Sequence, residues 1–63
     1  MTLKELVMDT VAKTPHFNVA GEIADLLYSK VEKVSGKDTA YMAADMYLAE
    51  INRKFHTNYT MKK

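Results

Sequence analysis

Pro15 and Gly36 divide the chain into three stretches in which apolar residues recur with the period of an α-helix. Proline disfavours the helical conformation in the residue before it, so the first stretch should end near Thr14. Glycine tolerates the left-handed conformation that closes many helices, so the second stretch should end near Ser35. The sequence therefore predicts an all-α fold. The predicted helices cover about residues 3–14, 19–35 and 39–55.

Capping residues support these boundaries. Thr2 and Glu5 have the spacing of a capping box, in which two residues satisfy each other's backbone amides at a helix start. Asn18 precedes the second predicted helix and Asp38 precedes the third, and both residue types are favourable N-caps. A separate start is therefore expected for each helix.

Each predicted helix has one apolar face, as expected for helices that share a core. The predicted core residues are Leu3, Leu6, Val7, Val11, Ala20, Ile23, Ala24, Leu27, Val31, Val34, Ala40, Ala43, Ala44, Tyr47, Leu48, Ile51 and Phe55. Short connections favour antiparallel neighbours, so we expect either a three-helix bundle or a helical hairpin with the N-terminal helix packed against it. Residues 1–56 should form this single domain, and residues 57–63, which lose the period, a basic C-terminal tail.

A chain of 63 residues without cysteine has few ways to stabilise itself. A core of this size rarely supplies more than about 3–5 kcal/mol, and neither a disulfide nor a thiolate metal site can add to it. Self-association into a homo-oligomer is therefore expected. No apolar run approaches the roughly 20 residues that cross a bilayer, and the N-terminus does not resemble a signal peptide, so a cytoplasmic protein is expected.

The residues that carry most enzyme chemistry are sparse. Cysteine is absent, the serines are limited to Ser29 and Ser35, and His16 and His56 lie far apart in the sequence. No histidine pair has the helical spacing that would bring two metal ligands to one face, and the two glycines are too few for a phosphate-binding loop. We therefore expect no catalysis, no cofactor and no metal. His16 is interpreted as an exposed or capping residue.

Basic residues concentrate near the C-terminus. The candidate anion contacts are Arg53, Lys54, His56, Tyr59, Lys62 and Lys63. Such a tail could meet phosphates while its aromatic residue stacks on a base. Asp38 and Asp45 oppose a helix-turn-helix role, in which the third helix would approach the phosphates of DNA. An oligomeric nucleic-acid or nucleotide binder that uses this tail and the helix ends is therefore the second interpretation of the chain.

A second face of the third helix is the first candidate for binding. Its candidate interface residues are Tyr41, Met42, Met46, Ala49 and Arg53. On a helical wheel these residues lie on or beside the side that faces away from the predicted core. Methionine adapts to irregular surfaces, and tyrosine is common at protein interfaces. We expect this face to bind another protein or a second copy, in a small adaptor, regulator or inhibitor that acts by stoichiometric binding.

Overall fold

The computed structural model describes residues 2–59, and within them it contains helices and no strand. Helix α1 spans Leu3–Lys13, α2 spans Ala20–Ser35 and α3 spans Lys37–Phe55. A short 3₁₀ turn, Phe17–Val19, precedes α2. The predicted all-α fold of packed helices is confirmed.

Helix α3 occupies the centre of the fold. It packs against α2 along most of its length and against α1, whereas α1 and α2 hardly contact each other. A single residue, Gly36, separates α2 from α3, so these two helices form a hairpin. Of the two arrangements that the sequence allows, this one is nearer to the hairpin with a packed N-terminal helix.

Small residues bring α2 and α3 close together. The fully buried alanines are Ala20, Ala24, Ala40, Ala43 and Ala44. Without long side chains between them, two helix backbones can approach at the short end of the usual interaxial distance. Larger side chains fill the rest of the core. They include Leu27, Val31, Tyr47, Leu48 and Ile51, with Val7 and Val11 from α1. The predicted core stripe of α3 is therefore confirmed apart from Phe55, which is half-buried at its edge.

The N-terminal cap of α1 agrees with the sequence. Thr2 Oγ1 accepts a hydrogen bond from the Glu5 backbone N–H at 3.2 Å. The Thr2 hydroxyl also approaches the Glu5 carboxylate, at 3.3 Å between Oγ1 and Oε1. The threonine half of the predicted capping box is therefore present, and the glutamate carboxylate lies where the helix dipole favours it.

The other two predicted caps are wrong. Asn18 lies inside the 3₁₀ turn, where its backbone N–H donates to His16 Nδ1 at 3.2 Å, and Val19 occupies the N-cap of α2 without a side-chain hydrogen bond. Because the 3₁₀ turn occupies residues 17–19, α2 begins only at Ala20. Asp38 lies in the first turn of α3, which already begins at Lys37. Its carboxylate there still favours the positive end of the helix dipole.

Gly36 joins α2 and α3 in a backbone conformation that residues with a side chain rarely adopt. Its φ is 90° and its ψ is 174°, a combination that is essentially restricted to glycine. The positive φ was expected from the sequence, but the extended ψ differs from the left-handed helical cap that was predicted. This geometry lets one residue end α2 and begin α3.

Aromatic rings fasten the 3₁₀ turn to the end of α3. The ring of Phe17 lies 6.3 Å from that of Phe55, centroid to centroid, and His16 stacks on Phe17 at 4.6 Å. His16 thus caps the turn with one ring atom and packs with the ring face. The interpretation of His16 as a capping residue is confirmed.

Candidate functional site

An open apolar cleft lies between α1 and α2. It exists because both helices rest on α3 without closing on each other. The cleft consists of two adjoining hollows of about 340 and 170 Å³, and Leu6 and Lys30 line both of them. Leu3, Val31 and Val34 add to the larger hollow, and they leave its surface mainly apolar.

The rim of this cleft carries the two most exposed large hydrophobic side chains in residues 2–59. Val34 is 84% exposed and Leu26 is 69% exposed. The prediction that Val34 belongs to the core is wrong. Its position on the helical wheel is that of the core stripe, but it lies in the last turn of α2, where no other helix covers it.

The charge in the cleft is positive. Among the described residues that line both hollows, Lys30 is the charged one. Residues four apart follow one another along a helix, so Lys30 lies between Leu26 and Val34 on the same row of α2. Glu22, which is exposed, comes one turn before Leu26 on this row. An apolar partner that enters the cleft must therefore come close to an ammonium group.

The predicted interface on α3 is mostly exposed. Met42 is 57% exposed and Tyr41 is 40% exposed, and Ala49 and Arg53 are also exposed. Met46 differs from the prediction, because it is half-buried and packs against the core. Its unbranched side chain has the freedom to bend toward the core from the border of the helix. Binding of another protein or a second copy by this face stays a prediction.

Tyr41 lies at the border between α3 and α2. Partial burial raises the pKa of the neighbouring Tyr28, and the Glu32 carboxylate raises it further by its charge and by accepting a hydrogen bond. Smaller contributions come from Tyr41 and Asp38 on α3. The tyrosine and carboxylate groups on this side of the hairpin are therefore close to one another.

The outer face of α3 consists of four exposed residues at helical spacing. They are Met42, Asp45, Ala49 and Arg53, all of them exposed. The buried residues of α3 face α1 and α2, and the outer face lies on the opposite side of the helix. The cleft and the outer face of α3 therefore lie on opposite sides of the molecule.

The candidate anion contacts differ in exposure. Arg53, Lys54 and His56 are exposed, and the Lys54 ammonium lies 5.2 Å from the centre of the Phe55 ring. Tyr59 is half-buried against the core. Lys62 and Lys63 lie outside the described residues. Nucleic-acid binding by this end of the chain stays a prediction.

A single side chain, Asn52, holds the turn that follows α3. Its Nδ2 donates to the Tyr59 carbonyl at 2.8 Å, while its Oδ1 accepts from the Tyr59 N–H and from the Thr57 hydroxyl, also at 2.8 Å each. His56 makes the turn in the left-handed region, with φ 58° and ψ 49°. Residues 57–59 of the predicted tail therefore fold back on α3. Residues 60–63 of the predicted tail lie outside the described part.

A buried hydrogen bond ties the end of α1 to α3. Thr14 Oγ1 and the Tyr47 hydroxyl oxygen are 2.7 Å apart. The Thr14 hydroxyl donates to the Thr10 carbonyl at 2.9 Å, so its single proton is used there and the Tyr47 hydroxyl donates to Thr14. Burial raises the pKa of Tyr47, and a hydrogen bond that Thr14 can donate to the phenolate form lowers it by less. Sequence reasoning missed this bond because it joins residues that lie in different helices.

Within residues 2–59 no three acidic or histidine side chains come together in a way that could hold a metal ion. None of the helices in the same range has the length and apolar character needed to span a membrane.

Comparison with known proteins adds no relative. No protein-family model, no curated protein and no solved structure matches this chain.

Proposed function

We propose that this protein is a small cytoplasmic interaction module that acts by occupying the surface of another protein. In this role it is an adaptor, regulator or inhibitor that works stoichiometrically and without catalysis. The observation that supports the proposal is the open apolar cleft between α1 and α2, with Leu26 and Val34 exposed on its rim.

The energetics favour an occupied cleft. Complete burial of an exposed leucine or valine side chain contributes about 1.5–3 kcal/mol. Leu26 and Val34 together can therefore supply several kcal/mol to a complex, before the cost of association is subtracted. A bound partner also stabilises the folded state of a domain that has a small core. The same surface thus serves both binding and stability.

The test is affinity capture from extracts of cells that produce the protein, with matched variants. Leu26→Glu combined with Val34→Glu places two carboxylates on the rim of the cleft, where an apolar partner would have to desolvate them. Ala12→Glu combined with Ser29→Glu adds the same charge at exposed positions away from the cleft. Each captured protein is then purified and its binding measured directly.

We expect the unmodified protein and the control variant to retain the same partner, and the cleft variant to lose it. Both variants should keep the helical circular dichroism spectrum of the unmodified protein, because all four substituted residues are exposed. Undiminished binding of the purified partner to the cleft variant would refute the proposal for this surface.

A further inference from the structure

The molecule carries an apolar hollow on one side and a projecting helix face on the other. The hollow is the cleft between α1 and α2, and the projecting face is the outer face of α3. Two different surfaces on opposite sides of one chain can form a heterologous contact, in which the face of one copy meets the cleft of the next.

The charges on the two surfaces are complementary in one antiparallel register. When Asp45 of one copy lies opposite Lys30 of the other, Arg53 lies two turns further along α3 and Glu22 two turns back along α2. Both intervals are eight residues, or about 12 Å along a helix. The two pairs of opposite charge therefore form together, one in the cleft and one beyond its end.

The apolar side chains match in the same register. Met42 then lies within one residue, or about 1.5 Å along the helix, of the position opposite Val34, at the larger hollow of about 340 Å³. A cavity of about 150 Å³ admits a benzene ring, so this hollow has ample room for a methionine side chain. At the other end of the contact, the small Ala49 lies opposite the projecting Leu26. A large side chain thus meets a hollow, and a small one meets a projection.

We infer from this match that the cleft between α1 and α2 accepts the outer face of α3 from a second copy of this chain. The inference rests on the proposed function, and it names the partner as the protein itself. The cleft and the outer face of α3 lie on opposite sides of each copy, so one copy can bind two others. The assembly therefore grows with concentration.

A symmetric dimer through α2 fits the structure less well. Antiparallel pairing of α2 with its own copy would bring Leu26 to Val34, but it would also place Lys30 against Lys30 at the twofold axis. Like charges in such close contact repel, most strongly where apolar neighbours exclude water. The outer face of α3 offers a carboxylate at that position instead.

Two variants test the inference by complementation. The cleft variant carries Leu26→Glu and Val34→Glu, and the face variant carries Met42→Glu and Ala49→Glu. Each should sediment as a monomer by itself, because each lacks one of the two surfaces. Their mixture should form a one-to-one dimer and nothing larger, since only the cleft of the face variant and the outer face of the cleft variant remain intact.

Charge exchange supplies a second test that a loss of folding cannot imitate. Lys30→Glu should weaken self-association, because its carboxylate would meet Asp45 of the next copy. Adding Asp45→Lys to the same chain should restore it. Circular dichroism on every variant checks that the helices are retained.

The outcomes separate this inference from the proposed function. A protein that stays monomeric at millimolar concentration, or a mixture of the two variants that stays monomeric, overturns the inference. If the cleft variant nevertheless loses a different captured protein, the proposed function stands and its partner is not a second copy. If self-association and partner capture both survive in the cleft variant, both proposals are wrong.

Discussion

Apolar residues on the two sides of α2 differ in how deeply they are buried. Toward α3, alanines and larger aliphatic side chains pack with almost no exposure. Toward α1, similarly apolar side chains line a cleft that remains open. The neighbours Leu26 and Leu27 illustrate the contrast, because they are 69% and 4% exposed, respectively. A buried face requires a second element at the right distance, and apolar periodicity alone does not provide one.

The largest expected effect comes from shortening these two neighbours separately. Leu27→Ala removes a buried core side chain that also lines the smaller hollow of the cleft, and it should lower the free energy of unfolding by about 2–5 kcal/mol. Leu26→Ala removes atoms that already face solvent, and it should change this free energy by less than about 0.5 kcal/mol. Chemical denaturation followed by circular dichroism measures both. Equal losses in the two variants would contradict the contrast between the filled and the open side of α2.

Loss of the hydrogen bond between Thr14 and Tyr47 should lower the free energy of unfolding by a smaller amount. The size of this loss should depend on which of the two residues is replaced. Thr14→Val leaves the buried Tyr47 hydroxyl without its acceptor, and should destabilise the fold by about 1–3 kcal/mol. Tyr47→Phe leaves the Thr14 hydroxyl still donating to the Thr10 carbonyl, so its cost should be about 0.5–1.5 kcal/mol.

The double variant provides the control for this asymmetry. Removing both hydroxyl groups leaves no orphaned donor, so it should be no less stable than Thr14→Val alone. Strictly additive losses, measured in the same denaturation experiment, would show that the two hydroxyl groups act independently.

Alkaline pH should destabilise the fold through Tyr47, because burial disfavours its charged phenolate form. The raised pKa of Tyr47 means that the folded protein retains the phenolic proton at a pH where the unfolded chain, with a pKa near 10, has lost it. The stabilising contribution is therefore complete below about pH 10 and is lost as the pH rises through the pKa of the folded state. Denaturation at pH 8 and at pH values above 10 should show a smaller decline in Tyr47→Phe than in the unmodified protein.

The smallest expected effect concerns the turn after α3. His56 adopts a left-handed backbone conformation, which is unfavourable for most residues other than glycine. His56→Gly should therefore raise the free energy of unfolding by up to about 1 kcal/mol, the left-handed penalty being partly offset by the entropy of glycine in the unfolded chain. A loss of stability in thermal denaturation would instead show that the imidazole contributes through a contact of its own.

Local patterns in the sequence predicted the helices well. Thr14 and Pro15 end α1, Gly36 ends α2, and the buried alanines of α3 lie on the predicted stripe. These features depend on neighbouring residues along the chain and on the helical period, and both can be read without a structure. The helix starts were less predictable, because a 3₁₀ turn displaced Asn18 from its expected role.

Features that depend on how helices meet could not be predicted from periodicity. Val34 lies on the apolar stripe but has no helix opposite it, and Leu26 lies off the stripe yet lines the cleft. The pairing of Thr14 with Tyr47 joins positions that are distant in the sequence. For the same reason the sequence predicted the face of α3 as a binding surface, but it did not predict the cleft between α1 and α2.

The sparse attachment of α1 has a consequence for local unfolding. Helices α2 and α3 support each other along a hairpin, whereas α1 is held mainly by α3 and by the hydrogen bond at its end. In hydrogen exchange, the amides of α1 should therefore open together at a lower free energy than those of the hairpin. Since α1 forms one wall of the cleft, any occupant that contacts this wall should slow the exchange of these amides, even where it touches none of them directly.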